Sequence, residues 1–135
     1  MSGPSLAVQR ASGEVSIPAK YAAAMWVLMD RVLTDLRMLE SDVRIERMSK
    51  EAALRAAYLL SDAIHHLPHT LVEYATERAP AMVDIAIESL RSASREIWGD
   101  AERYGSWIED LRANVPWAAD DPTRQILAPV SERAH

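Results

Sequence analysis

Three of the four histidines of this 135-residue chain stand together in Asp62-Ala63-Ile64-His65-His66-Leu67-Pro68-His69, and Glu73 follows. In an unbroken helix His65 and His69 lie one turn apart, as do His69 and Glu73. Asp62 lies one turn before both His65 and His66. Imidazoles and carboxylates on adjoining turns bind divalent ions, and helical bundles build metal sites in this way. One reading is therefore a zinc or iron site in a metal-dependent helical-bundle enzyme, with Asp62, His65, His66, His69 and Glu73 as ligands. Two features oppose it. Asp62-x-x-His65 is a shortened form of the Glu-x-x-His pair and has no second copy. Pro68 disturbs the helical spacing on which the ligand set depends. The preferred reading is structural: histidines beside a proline cap a helix end and complement its dipole, and Asp62 bonds His65 or His66. A pH-sensitive interface is a third use, since histidine titrates near neutrality.

No other constellation supports catalysis. The absence of Cys removes thiol nucleophiles, zinc–thiolate sites and disulfides together. Ser61 lies one turn before His65, but no glycine-rich elbow surrounds it. The four glycines, at 3, 13, 99 and 105, stand alone, so there is no phosphate-cradling loop. A net charge of −5 repels nucleic acid and anionic lipid on average. The arginine clusters Arg37, Arg44, Arg47 and Arg91, Arg95, Arg103 are interleaved with Glu40, Asp42, Glu46, Glu88 and Glu96. Such mixed spacing builds a solvated helix face rather than a DNA-reading one. Neither a signal peptide nor a long apolar span is visible, so a cytoplasmic, non-membrane protein is expected. The preference for Arg over Lys suggests a GC-rich bacterial source.

The elements that would hold these residues are helical. Residues 1–17 lack a lasting period and read as a flexible N-terminal arm, with Val15 to Ile17 the only faint strand. From Pro18, the positions Ala22, Met25, Trp26, Met29, Val32, Leu33, Leu36, Leu39 and Val43 step by three and four, one stripe over six turns. Ser49 is positioned to cap a second helix with Glu51 in its first turn. Its stripe reads Leu54, Ala57, Tyr58, Ser61, Ile64 and Leu67. Pro68 is expected to break or kink it, leaving a short helix from Pro68 to about Arg78. A further helix from about Pro80 to Trp98 ends at Gly99 in a left-handed cap. A last one starts near Ser106, with Ser106 and Glu109 as a capping box, and ends before Pro116.

The expected fold is all-α: an antiparallel bundle of four main helices, or five with breaks at Pro68 and Pro80. It occupies residues 18–115, with an irregular tail over 116–135.

The large apolar residues point to a contact surface. Met, Trp and Arg anchor protein interfaces. A first helix of almost thirty residues is about 45 Å long, against roughly 30 Å for a body of this size. Part of its stripe should then overhang unless a partner covers it. The expected function is protein binding without catalysis, through a homodimer or another protein, as in a small bacterial inhibitor, immunity protein or regulator. Met25, Trp26, Met29 and Leu33 are the contact candidates, with Trp107 and Trp117 next. The same residues would equally serve as core.

Overall fold

Two helices whose buried faces carry alanines seven residues apart set the architecture. The computed structural model describes residues 4–10 and 13–114. Two strands, β1 (Ser5–Arg10) and β2 (Gly13–Pro18), precede four helices: α1 (Ala19–Arg44), α2 (Lys50–Val72), α3 (Arg78–Trp98) and α4 (Gly105–Ala113). The buried positions of α2 include Ala53, Ala56, Leu60, Ala63, Leu67 and Thr70, and those of α3 include Ala79, Val83, Ala86, Leu90, Ala93 and Ile97. Steps of three and four in both helices make one narrow seam on each. Ala56 and Ala63 on one side, and Ala79, Ala86 and Ala93 on the other, let the backbones approach. Leu60, Leu67, Val83, Leu90 and Ile97 fill the space between. The seam is antiparallel. The Arg55–Glu96 ion pair (3.2 Å) and the bond from the Ser89 hydroxyl to Asp62 (2.7 Å) cross it seven residues apart, in opposite directions along the two helices.

This seam corrects the expected stripe of α2. Leu54 and Tyr58 are exposed, and the core face is one residue out of phase with them. Apolar residues surround α2, so periodicity in large side chains alone selected the wrong side; the small ones mark the contact.

Pro68 does not break α2, which runs continuously to Val72. The expected short helix from Pro68 to Arg78 is therefore absent. A proline in a helix interior costs about 3 kcal/mol, yet Leu67, Thr70 and Leu71 on either side of it are buried. Burial of side chains of this size is worth a comparable amount. Pro80 falls in the first turn of α3, where an amide hydrogen has no intrahelical partner. Gly99 adopts the expected left-handed conformation, with φ 67°. The Ser49 side chain accepts from the Ala52 amide at 3.1 Å, as a cap should. The capping box at Ser106 is not formed, since α4 begins one residue earlier and its N-cap, Tyr104, makes no side-chain cap bond.

The described part of the N-terminal segment is not an unstructured arm. β1 and β2 pair as an antiparallel hairpin with Leu6 opposite Ile17 and Val8 opposite Val15. Ile17 is fully buried, and Val8 and Val15 pack against the core. Glu14-Val15-Ser16-Ile17 alternates as a one-sided strand must, but the run is too short to stand out from the sequence. Arg10 donates to the Tyr74 carbonyl at 3.0 Å and ties the hairpin to the end of α2.

Apart from the exposed Trp26, the apolar stripe of α1 is buried or half-buried, and buried residues run from Tyr21 to Asp42. The overhang expected from its length is absent. An unbroken α2 of 23 residues makes the body nearly as long as the 26-residue α1, so a spherical size does not apply.

Buried polar contacts lock the helices together. The Tyr21 hydroxyl donates to Thr70 Oγ1 at 2.8 Å, joining α1 to α2. The Tyr104 hydroxyl donates to the buried Asp35 carboxylate at 2.7 Å, joining α1 to the turn before α4, and Arg103 reaches the other oxygen at 3.4 Å. Burial pushes the Tyr21 hydroxyl up to about 12. Burial, and then the Asp35 hydrogen bond and charge, raise Tyr104 further. Both folded-state values lie above the ordinary tyrosine value of 10.0. The folded chain therefore holds more protons than the unfolded one in alkali, and stability falls as pH rises. The expected result is full stability below pH ~10, then a loss of about 1.4 kcal/mol per pH unit per tyrosine through pH ~12. Denaturant titrations across this range check it. Tyr104→Phe, which leaves Asp35 short of a donor, should cost about 1.5–3 kcal/mol at neutral pH and flatten the alkaline decline.

Candidate contact faces and the histidine segment

The residues expected to contact a partner separate into core and surface. Met25 and Met29 are buried in the core cluster and cannot anchor a partner. Leu33 is half-buried. Trp26 remains 54% exposed, beside the exposed Val27. Trp107 is half-buried, with the Arg31 guanidinium 4.9 Å above its ring. Trp117 lies outside the described residues.

α4 runs back along the N-terminal half of α1. Arg31 meets Trp107 near its start, and Ala23, Ala24 and Val27 line one groove with Asp110 and Asn114 near its end. This open groove, of about 290 Å³, is lined also by Lys20 and Trp107. The Asp35–Tyr104 bond and the Arg103 guanidinium, 4.2 Å over the Trp98 ring, brace the turn that delivers Trp107 to this place.

A second face escaped sequence reasoning. Leu54 and Tyr58 are 66% and 74% exposed, the most exposed large apolar residues of the described helices. With Leu59, Arg55 and Glu96 they line a groove of about 440 Å³ between α2 and the last turns of α3. The signal was present in the sequence: Leu54, Tyr58, Ser61, His65, His69 and Val72 share one face of α2, opposite the alanines. Recognising it required knowing that the alanines were the core.

The histidine segment lies on the last turns of α2. His65 and His69 are exposed on that outer face, with ring centroids 4.5 Å apart. The other expected ligands are held elsewhere. His66 Nδ1 lies 2.8 Å from the Asp62 carbonyl, and Asp62 accepts from Ser89 across the seam. Glu73 pairs with Arg78 at 3.3 Å. Among the described residues no three His, Asp or Glu side chains converge on a point that a metal ion could occupy. The five-ligand centre is thus not assembled, although its His65–His69 portion is.

Arginines pair with carboxylates across the surface, among them Arg44 with Glu40, Arg47 with Asp42 and Arg112 with Asp84. No helix among the described residues is long and apolar enough to cross a membrane.

The outer face depends on α2 staying helical through Pro68, since a break there would separate His69 and Val72 from Leu54 and Tyr58. Pro68→Ala should restore a backbone hydrogen bond while adding freedom to the unfolded chain. The expected net effect is about 1–2 kcal/mol of stabilisation with unchanged helical content, measured by denaturant titration and circular dichroism.

No protein-family model, no curated protein and no solved structure matches the chain, so function rests on its own geometry.

Proposed function

We propose that the protein is a non-catalytic helical protein-binding module, acting through the outer face of α2 and its groove against α3. A small inhibitor of the immunity-protein type, or a regulator, of bacterial origin works in this way, by covering part of another protein. The supporting observation is the adjacency of exposed Leu54 and Tyr58 at the mouth of the 440 Å³ groove. An aromatic and a leucine beside a concave apolar site match the anchor pattern of interface centres, and the Arg55–Glu96 pair supplies a polar rim. The exposed Trp26 and Val27 of α1 are a second contact area, with Trp107 lining a groove beside Val27. A partner is either a second copy or another protein offering an apolar segment. An enzyme centred on the histidines is not favoured, because the carboxylates it requires are engaged in holding helices together.

Light scattering across a concentration series, and affinity capture from the native host, test the proposal. The expected outcome is a dimer, or a captured protein, lost in Leu54→Asp and Tyr58→Asp. Truncating a central anchor typically costs about 2–4 kcal/mol, or roughly thirty- to a thousandfold in affinity. Loss in Trp26→Asp alone moves the contact to the exposed surface of α1 around Trp26 and Val27. A monomer at high concentration that captures nothing overturns the proposal.

A further inference from the structure

We infer that His65 and His69 form a two-histidine chelate for a divalent ion of the copper or nickel class on the outer face of α2. The inference does not rest on the protein-binding reading and needs none of the carboxylates that the helix contacts consume.

The distance between the rings supports it. A metal-bound imidazole nitrogen lies about 2.0 Å from the ion, and the ring centre about 1.2 Å further. Two imidazoles in adjacent positions at 90° therefore have centres about 4.5 Å apart, and at the tetrahedral angle about 5.2 Å. The measured separation of His65 and His69 is 4.5 Å. Adjacent positions at 90° belong to the square-planar and tetragonal geometry of Cu(II) and Ni(II). The rings are inclined by 55°, so they are not a parallel stack that would turn both edges away from a common point.

The environment leaves both rings able to coordinate. Both are exposed, and neither has a hydrogen bond to another described residue. His66 differs, with its Nδ1 committed to the Asp62 carbonyl. The i, i+4 spacing is held by a helix whose next positions, Thr70 and Leu71, are buried in the core. The helix thus orders the backbone before the ion arrives, and only side-chain torsions remain to be fixed. With two protein ligands, the remaining equatorial positions face solvent and take water.

Calorimetric titration of the full, untagged chain with NiCl2 and with CuCl2 tests the site. The expected result is one equivalent of tight sites. His65→Ala and His69→Ala should each weaken it by at least about tenfold, because each removes half of a chelate. His66→Ala and His135→Ala should leave it within about twofold. Circular dichroism confirms that the variants fold. The Cu(II) form should show two equatorial nitrogens in its electron paramagnetic resonance spectrum. Absence of a one-equivalent site, retention of it in either single variant, or equal loss in His66→Ala overturns the inference.

Discussion

Close approach of α2 and α3 is the constraint from which the rest of the structure follows. Buried alanines seven residues apart narrow the gap between the two backbones, and branched residues at the intervening positions fill it. Small side chains contribute little area each, so the seam relies on many close contacts along two long helices rather than on a few large residues. That demand explains why α2 stays helical across Pro68. Ending at Leu67 would remove Thr70 and Leu71 from the core and break the Tyr21–Thr70 hydrogen bond.

Buried and part-buried polar contacts between these helices set their relative positions. Asp62 bonds Ser89 across the seam, Tyr21 bonds Thr70 between α1 and α2, and Tyr104 bonds Asp35 between α1 and the turn before α4. Burial strengthens such bonds and makes their loss expensive, because a lone polar group would then face an apolar interior. Asp35 illustrates the point. Its carboxylate is almost fully enclosed, with a tyrosine hydroxyl and an arginine as its donors. Through the same cluster, the cationic groups of Arg31 and Arg103 lie on Trp107 and Trp98, so the core of one region and the surface of another share residues.

Because the alanines face inward together with Leu60 and Leu67, a second set of large α2 residues is left outside. Leu54, Tyr58, His65, His69 and Val72 form a continuous outer stripe that the fold itself does not cover. Both the protein-contact proposal and the metal inference arise from this one inversion, by different chemistry. The apolar end offers anchors beside a groove. The histidine end offers two nitrogen donors held at helical spacing. The carboxylates of the larger metal centre, Asp62 and Glu73, are instead spent on the α2–α3 contact and the turn after α2.

Much of this was legible in the sequence by itself. Ser49, Gly99 and the three-and-four stepping of α1 place helix ends and faces by local rules: a hydroxyl cap, a residue free to adopt φ above zero, and the helical period. The spacing of His65 and His69 also needs only the helical repeat. What the sequence could not decide was which of two faces of α2 is buried, since both carry apolar residues and the partner helix makes the choice. Nor could local chemistry decide the fate of Pro68, where a local cost is outweighed by distant burial. The hairpin was hidden for a related reason: four alternating residues carry little information until Ile17 finds a core to enter. Local geometry is written in short-range steric and hydrogen-bonding rules. The face that meets the core depends on contacts between residues far apart in the chain, and only the tertiary structure brings those together.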